Sequence, residues 1–450
     1  MTVSVKDDQI LDAVYENSEK WVSVEIKIDQ PTDPIMLFQM TEGQAKDRFY
    51  FRDNSGKTAF FGYNALLKLK NNHENKQSIF REWEKYKEEI ALIHPDTSHH
   101  HLKVCGGFQF STHKSGDEWR QFGLNHFVLP KVLITMEGNH TYLTYTVPRD
   151  EFNIEDLKAL AEKIISTEVQ PTTPNGEIKR CEDIYKDEWL NIVQEAIETM
   201  NEDEKIVLAR RRMIQFNKDI DIAYVLENAL KSESNSYIFV IESDQSVFFS
   251  QTPEQLMEVD NQVLSTKAVA GTIKRTNDEQ EDKQHLDAFL QDKKNLHEHH
   301  FVVQSILDDI EPYVEDVDYN QHPKILKNDH LYHLYTEISG TLKNKTYIGL
   351  LDRLHPTPAL GGYPKEKAVD FIEQREFGTR GLYGAPVGYI DMEDNCQFIV
   401  AIRSMLIKQN QATLFAGCGI IKQSEPESEL AETTLKFTPM MNALGVENHG

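Results

Sequence analysis

Alternation of apolar and polar residues marks strands in the first part of the chain. In WVSVEIKI (21–28) every second residue is apolar, which is the period of a strand. One face of this predicted strand carries Val22, Val24, Ile26 and Ile28. HFVLPKVLITMEG and TYLTYTV are rich in β-branched and aromatic residues and predict further strands. We therefore expect residues 1–180 to form a mixed, strand-rich part of the molecule.

The pattern changes after VQPTTPNGEIKR (169–180), which two prolines and a glycine among polar residues mark as a linker. KDEWLNIVQEAIETMN then predicts a helix, and YIFVIE, VFFSQTP and QVLSTKAVAGT predict strands. Apolar residues at three-or-four spacing predict one long helix over 277–311. Its stripe consists of Leu286, Phe289, Leu296, Val303, Leu307 and Ile310. The strands PVGYIDM, CQFIVAIRSMLI and ATLFAGCGI precede a last helix over 426–443.

Antiparallel strands with helices packed on them predict the α+β fold class. The linker divides the chain into residues 1–180 and 181–446. The loop HPDTSHHHL (94–102) contains three consecutive histidines, and a metal site is one interpretation of them. Adjacent histidines on a loop are usually solvated, so we expect no ligand role there.

Composition narrows the class of partner. The 450 residues carry a formal net charge of −25, which argues against nucleic acid because phosphate backbones need basic patches. We find no apolar run that would span a bilayer and no secretory signal, so we expect no membrane partner. Four widely spaced cysteines without a CxxC pair favour a reducing cytoplasm. We expect a cytoplasmic monomer or weak dimer.

Carboxylates cluster in FAGCGIIKQSEPESELAETTLKF (415–437), where like charges three or four apart repel. One interpretation is compensation of the helix dipole together with a Glu432–Lys436 pair. The other is a cation site shared with Glu298, which lies off the apolar stripe in HEHH (297–300). Hard oxygen ligands with open positions suit Mg²⁺. Zinc is the weaker alternative, since the segment has neither HExxH nor a cysteine partner.

An arginine interrupts the apolar strand FIVAIRSMLI, where a charge is usually paired or functional. With Tyr389 on the preceding strand, Arg403 is expected to face a cleft and clamp a carboxylate; a structural ion pair is the alternative. HPTPALGGYP (355–364) predicts a rigid loop, because prolines fix φ and paired glycines allow positive φ. Such a loop often lines a site, although a plain tight turn is equally consistent with the pattern.

Nine segments in order resemble the chorismate-utilising enzymes, a family that includes isochorismate synthases, salicylate synthases and the large subunits of anthranilate and aminodeoxychorismate synthases. They span about 190–440 and are KIVLARR (205–211), TPEQLMEV (252–259), STKAVAGT (265–272), HEHH (297–300), YHLYTEISGTL (332–342), LHPTPALGGYPKEKA (354–368), RGLYGAPVGYID (380–391), FIVAIRS (398–404) and FAGCGI…ESELAETTLKF (415–437). The chain departs from the family in two places. It has Tyr383-Gly384-Ala385-Pro386 where the family usually has Tyr-Ala-Gly-Pro, and it has Tyr389 where many members carry Trp.

The resemblance implies an anthranilate synthase component I-like fold, with large antiparallel sheets and helices around a deep central cleft. Residues 1–180 would be its variable N-terminal part and 181–446 its catalytic part. It also implies that Glu298 and Glu432, with Glu429 beside them, ligate Mg²⁺, which would hold the ring carboxylate of chorismate. Substrate contacts would come from Gly271, Thr272, His333, Thr357, Tyr389, Arg403, Gly419 and Lys436.

Lys205 looks like the base of the water-using branch, because the ammonia-using members do not usually carry lysine there. Water would attack carbon 2 of chorismate, and Glu254 would protonate the departing 4-hydroxyl. Without the family, Lys205 reads as a surface lysine and Glu254 as a carboxylate at a helix start.

The resemblance favours an Mg²⁺-dependent isochorismate synthase that serves menaquinone synthesis. The alternatives are a siderophore-pathway isochorismate synthase, a salicylate synthase that goes on to eliminate pyruvate, and, third, an anthranilate synthase. From another class, a non-catalytic acidic protein that binds a divalent ion or a partner would also account for the carboxylates.

Overall fold

The computed structural model describes residues 6–71, 76–95, 97–111, 116–232, 235–276, 279–327, 331–344 and 347–446. The strands are β1 (Trp21–Ile28), β2 (Phe49–Arg52), β3 (Thr58–Asn71), β4 (Ile90–Ile93), β5 (Lys103–Phe108), β6 (Asn125–Glu137), β7 (His140–Pro148), β8 (Ile178–Ile184), β9 (Lys205–Phe216), β10 (Tyr237–Ser243), β11 (Ser246–Thr252), β12 (Gln255–Asp260), β13 (Val263–Lys274), β14 (Val314–Tyr319), β15 (Lys324–Lys327), β16 (Leu331–Leu342), β17 (Gly362–Tyr363), β18 (Pro386–Asp391), β19 (Cys396–Val400), β20 (Ser404–Lys408) and β21 (Gln411–Ile421). The helices are α1 (Asp7–Glu16), α2 (Pro34–Thr41), α3 (Gln77–Lys87), α4 (Ile154–Ser166), α5 (Lys186–Thr199), α6 (Ile222–Ser232), α7 (Glu279–Phe289), α8 (Lys293–Ile310), α9 (Ile348–Leu354), α10 (Lys365–Arg375), α11 (Pro426–Lys436) and α12 (Thr438–Ala443).

Two large sheets meet at the long antiparallel pair β3–β6. From β3 the first sheet continues through β2, β10, β11, β20, β21, β9 and β8. From β6 the second continues through β5, β18, β19, β12, β13 and β16. Strand β5 pairs with residues 125–128 of β6, and β7, followed by β1 and β4, continues from residues 132–137. Among the described pairings only β1–β4 is parallel, so the α+β prediction is confirmed.

The core lies in three layers because each strand alternates its side chains between two faces. Phe49, Phe51 and Phe60 point from the first sheet towards Val387 and Ile399 of the second, and together they fill the space between the sheets. Helices α2, α4, α6 and α12 cover the outer face of the first sheet. Helices α3, α8 and α9 cover the outer face of the second. Helices α5, α10 and α11 pack around one end of β9 and β21.

The strand predicted from WVSVEIKI is confirmed as β1, and its four apolar residues are buried. The long helix predicted over 277–311 is wrong in one respect, because a turn at 290–292 divides it into α7 and α8. The last helix likewise divides at Phe437, and Pro439 lies in the first turn of α12. No helix within the described residues is both long and apolar enough to cross a bilayer.

The proposed boundary at residue 180 falls inside β8. Pairs such as β2–β10 and β5–β18 join the two parts of the chain across that boundary. Both parts therefore contribute strands to the same two sheets.

Candidate functional site

Lys205 begins β9, which lies between β21 and the short β17. Its side chain runs over Gly419 of β21: a Cβ atom at Gly419 would lie 2.4 Å from Lys205 Cε and 3.2 Å from Nζ. On the other side, a Cβ atom at Gly362 would lie 2.0 Å from the Lys205 carbonyl oxygen. Because Gly362 and Gly419 have no side chain, there is space for Lys205 between β17 and β21.

Glu254 lies in the short link between β11 and β12, and not at a helix start. Its N–H donates to Thr252 Oγ1 at 3.2 Å, and its carbonyl accepts from the Val400 N–H at 3.0 Å. Burial raises the pKa of Glu254 to about 7, although the positive charges of Arg403 and Lys205 oppose the rise. A carboxyl group with this pKa is substantially protonated at neutral pH and can donate a proton.

Arg403 is not part of a strand, which corrects the prediction of one continuous strand through FIVAIRSMLI. The segment breaks between β19 and β20, and Arg403 has φ 46°. This left-handed conformation is uncommon outside glycine and occurs often at functional sites. The Arg403 carbonyl accepts from the Gln251 N–H at 3.0 Å, which fixes the break beside Thr252. The break thereby brings Arg403 next to the link that holds Glu254.

His333 of β16 belongs to the same group of residues. Burial lowers the pKa of His333, and the positive charge of Arg403 lowers it further. These electrostatic contacts connect Lys205, Glu254, Arg403 and His333, which lie in segments far apart in the sequence. We call these four residues the central cluster.

A bulge in β13 closes one side of the central cluster. Gly271 has φ +80° at the point where the register with β16 shifts, and Thr272 then pairs with His333. A Cβ atom at Gly271 would lie 3.3 Å from Asn295 Oδ1, so the bulge packs closely against α8. Glu298 lies one turn further along α8, but its side chain and that of Thr272 are outside the described part of the structure.

Helix α8 also approaches the strand that pairs with β9. The Phe301 ring contacts Tyr363 edge-on, with 4.9 Å between centroids, and Tyr363 is the strand partner of Lys205. His299 of HEHH is buried, with Nε2 2.8 Å from Thr336 Oγ1 and Nδ1 3.3 Å from the Ala270 carbonyl. His299 thus has a packing role, and α8 lies against both β13 and β17.

Helix α11 presents its carboxylates beside β21. Lys436 Nζ lies 2.7 Å from Glu432 Oε1 and donates to the Gly417 carbonyl at 2.9 Å. Ser424 Oγ donates to Glu429 Oε1 at 2.7 Å. The predicted Glu432–Lys436 pair is present, but both side chains are about half exposed, so its contribution to stability is at most ~0.5 kcal/mol. Both carboxylates remain within reach of solvent. Gly417, which accepts the hydrogen bond from Lys436, lies two residues before Gly419 in β21.

Arg210 holds α11 in place, and the sequence reasoning did not assign it a role. It is 3% exposed. It donates to Thr433 Oγ1 at 2.7 Å, to the Leu430 carbonyl at 3.2 Å, to Thr434 Oγ1 and to Asp183 at 2.7 Å. A signal was available: strand periodicity puts Arg210 on the same buried face as Ile206 and Leu208.

The loop predicted from HPTPALGGYP docks on β9. The Gly361 carbonyl accepts from the Val207 N–H at 3.0 Å, and the Thr357 carbonyl accepts from the Gly361 N–H at 2.9 Å. The Thr357 hydroxyl is buried, and no hydrogen-bond partner for it is found in the described part of the structure. Buried hydroxyl groups are nearly always bonded, so Thr357 is suited to receive a polar group of a ligand.

Tyr389 is not brought together with Arg403, contrary to the expectation of a shared cleft. Its ring packs edge-on against Phe51 and Phe60, with centroids 5.2 and 5.0 Å away, and lies 4.8 Å from the Lys103 ammonium. It lines a separate cavity of about 280 Å³ with Glu258 and other residues, but with no other predicted site residue. The reason is strand parity, since Tyr389 shares the inner face of β18 with Val387.

Comparison with known proteins finds similar sequences over almost the whole chain. The sequence profile of the family described as "Chorismate binding enzyme" matches residues 8–445. The chain is 35% identical to isochorismate synthase MenF of Bacillus subtilis (strain 168) over 433 residues, which cover 92% of each chain. It is 31% identical to the salicylate biosynthesis isochorismate synthase of Pseudomonas aeruginosa over 438 residues, or 94% of this chain and 90% of that one.

Solved structures share the fold. The menaquinone-specific isochorismate synthase MenF of Escherichia coli superposes with a TM-score of 0.79 at 22% identity, over 97% of this chain and 98% of that chain. Anthranilate synthase component I from Streptococcus pneumoniae superposes with a TM-score of 0.68 at 20% identity, over 91% and 97% of the two chains. The predicted anthranilate synthase component I-like fold is confirmed.

Proposed function

The chain belongs to the family of chorismate binding enzymes, and from this premise we propose that it is an isochorismate synthase, an isomerase that converts chorismate into isochorismate. The observation that carries the proposal is the central cluster, in which a carboxyl group with a pKa of about 7 lies within the electrostatic reach of a lysine and an arginine. The extensive similarity to isochorismate synthase MenF of Bacillus subtilis supports the same activity.

In the proposed reaction, Lys205 takes a proton from water, and the water oxygen bonds to carbon 2 of chorismate. The ring double bonds shift, and the bond between carbon 4 and its hydroxyl oxygen breaks. Glu254 gives its proton to the departing hydroxyl group, which leaves as water. Solvent then returns Lys205 and Glu254 to their starting protonation states. The acid must therefore be protonated near neutral pH, and burial makes Glu254 suitable by raising its pKa to about 7.

The family generally uses Mg²⁺, and the residues of α11 fit this ion. Glu429 and Glu432 offer only hard oxygen ligands and are accessible to solvent, as Mg²⁺ requires when it keeps some of its waters. We propose that these two residues and Glu298 hold it. When bound, Mg²⁺ supplies the positive charge that receives the substrate's ring carboxylate. Arg403, Lys436 and the Thr357 hydroxyl are proposed to hold the remaining polar groups, with Gly271, Thr272, His333 and Gly419 forming the walls.

We propose that the product serves menaquinone synthesis, in line with the relative MenF of Bacillus subtilis. The second candidate is that the product serves salicylate synthesis, because the Pseudomonas aeruginosa relative is named for salicylate biosynthesis. All four cysteines are free thiols, which suits a reducing cytoplasm. The proposed site is built from one chain, so a monomer or weak dimer suffices for activity.

The test is to incubate the purified protein with chorismate, with and without Mg²⁺ and without ammonia, and to separate the products by chromatography. We expect isochorismate alone, and only when Mg²⁺ is present. Salicylate and pyruvate in amounts that track turnover would assign the protein to the salicylate synthases. Anthranilate on adding ammonia would assign it to the aminating branch, and no conversion with any divalent metal would refute the enzymatic proposal.

A further inference from the structure

The histidine loop 94–102 is not solvated as expected, because part of it packs onto the polar face of β1. Ser23 and Glu25 of that strand are both 0% exposed. His100 Nε2 lies 3.0 Å from the Ser23 carbonyl, and His101 is 3% exposed. The loop therefore buries two histidines and a carboxylate together, at a position that the proposed isochorismate synthase site does not use.

The Glu25 carboxylate accepts hydrogen bonds from both the histidine loop and strand β7. Its carboxylate accepts hydrogen bonds from the His101 N–H at 2.9 Å, from Thr144 Oγ1 at 2.9 Å and from Thr97 Oγ1 at 3.2 Å. It also lies 2.8 Å from His101 Nδ1. Each Glu25 oxygen already accepts a hydrogen bond from another donor, so Glu25 is the acceptor here too and the proton in this contact is on His101 Nδ1.

This assignment directs the other ring nitrogen of His101 away from β1. Nε2 is buried and has no hydrogen-bond partner in the described part of the structure. Glu137 Oε1, at the end of β6, lies 3.6 Å from it. The Tyr142 ring stacks on the imidazole at 4.2 Å and fixes its plane. The His101 Nε2 atom is therefore a buried, oriented nitrogen that faces a carboxylate.

His99 completes a group of three. Its ring centroid is 4.4 Å from that of His101. One ligand atom from each of His99, His101 and Glu137 lies within 4.8 Å of the others. In a tetrahedral site with metal–ligand bonds of ~2.1 Å the ligand atoms are about 3.4 Å apart, close to the His101–Glu137 separation. His99 is exposed and can move the remaining distance.

We propose that His99, His101 and Glu137 form a binding site for a divalent cation of the zinc type. Two imidazole nitrogens and one carboxylate oxygen are a ligand set that zinc prefers, and the fourth position opens to solvent beside His99. Glu25 supplies the hydrogen bond that orients a metal-ligating histidine through its second nitrogen. The ion would clip the loop 94–102 to the hairpin of β6 and β7. This site shares no residue with the carboxylates of α11.

The test uses the full chain, stripped of metal and held in excess Mg²⁺ so that the carboxylates of α11 are occupied. Co²⁺ serves as the probe because its visible absorption reports tetrahedral coordination. We expect one equivalent of Co²⁺ with tetrahedral absorption, displaced by Zn²⁺. Affinity should fall more than tenfold in His99→Ala and in Glu137→Gln. The matched control is His140→Ala, which removes an exposed histidine beside Glu137 and should bind Co²⁺ as the wild type does.

A second measurement guards against variants that fail to fold. Zn²⁺ should raise the thermal unfolding temperature of the wild type and of His140→Ala, but not that of His99→Ala. Tetrahedral Co²⁺ bound equally by His99→Ala and Glu137→Gln would overturn the proposal and move the site elsewhere. If neither Co²⁺ nor Zn²⁺ binds the wild type below millimolar concentration, the group is a protonated His101 between two carboxylates and the proposal fails.

Discussion

Glu254 shows at the scale of one residue how function and stability oppose each other. Its pKa rises from the ordinary glutamate value of 4.5 to about 7 because the folded protein buries it. Between these pH values the native state binds more protons than the unfolded chain, so the free energy of unfolding falls as the pH rises. Above about pH 7 the protein carries a buried carboxylate at a cost in stability, and the proposed reaction needs that carboxyl group as its acid.

Replacing Glu254 by Gln should separate these two effects. We expect kcat to fall by about 10²–10⁴ because the amide donates no proton to the leaving group. We also expect the variant to be more stable than the wild type by about 1–2 kcal/mol at pH 8, and by much less at pH 5, because glutamine never ionises. Product formation and urea denaturation at the two pH values measure both quantities.

The control for this prediction is Glu258→Gln, four residues further along the chain and in the cavity of Tyr389. It should retain turnover. In the wild type, kcat/KM should decline as the pH rises through about 7, since the acid must be protonated, and Glu254→Gln should lack this limb. Full turnover of Glu254→Gln would show that another group is the acid.

Gly419 is predicted to be required for activity because the Lys205 side chain passes over it. A methyl group there would lie 2.4 Å from Lys205 Cε and must displace the lysine side chain. We expect Gly419→Ala to lower kcat by roughly 10²-fold through misplacement of the base. The measurement is a double-mutant cycle with Lys205→Ala.

If Gly419→Ala acts through Lys205, it should lower the residual rate of Lys205→Ala only slightly. Independent, multiplicative losses in the double variant would instead mean that Gly419 acts on the substrate directly. Circular dichroism of each variant checks that the fold is retained.

At the scale of elements, the position of α11 decides where two of the proposed Mg²⁺ ligands lie. The N-terminus of this helix is not fixed by a side-chain cap, since its N-cap residue Glu425 makes no such hydrogen bond. Arg210 of β9 instead bonds to Leu430, Thr433 and Thr434 of this helix. The strand that begins with the proposed base thus also fixes the helix that carries the proposed metal ligands.

Replacing Arg210 by Lys should therefore lower the affinity for Mg²⁺ more than it lowers the rate of the chemical step. Lysine keeps the charge but cannot form the guanidinium fork that reaches Thr433 and the Leu430 carbonyl together. We expect the Mg²⁺ concentration for half-maximal activity to rise about tenfold, since ~1.4 kcal/mol of helix positioning is lost. The rate at saturating Mg²⁺ should change less.

The matched control is Arg212→Lys, because Arg212 also pairs with Asp183 but makes no hydrogen bond to α11 among the described contacts. It should leave the Mg²⁺ titration near that of the wild type. Equal shifts in both variants would mean that the Asp183 ion pairs, and not the anchoring of α11, set the metal affinity.

For the whole molecule, the shared sheets make the N-terminal and C-terminal parts one folding unit. Phe60 of β3 stacks on Phe51 at 5.2 Å and packs on Tyr389 of β18. Its side chain therefore joins the first sheet to the second across the inner core. Removing it should loosen both halves of the chain equally.

We expect Phe60→Ala to lower the free energy of unfolding by about 3–5 kcal/mol, as large-to-small changes in a core do. Unfolding should remain a single transition. Hydrogen exchange measured separately in β1–β7 and in β18–β21 should accelerate by the same factor. Acceleration confined to the N-terminal strands would show that residues 1–180 unfold on their own.

The sequence by itself determined most of the elements and the membership of the family. Strand and helix periods depend on neighbours two to four residues apart, so β1 and most of the helical stripes could be read directly. The nine ordered segments identified the family, and the profile match over 8–445 agrees.

Only the tertiary structure decided which of these residues meet. Tyr389 and Arg403 seemed to share a cleft, but strand parity turns Tyr389 into a cavity whose lining does not include Arg403. Arg210 gained its role, and the histidine loop its partners, from strands that pair across long stretches of chain. Such contacts depend on register and sheet packing, which no local pattern encodes. The sequence therefore predicts which groups are available for chemistry, and the packing of the two sheets decides which of them come together.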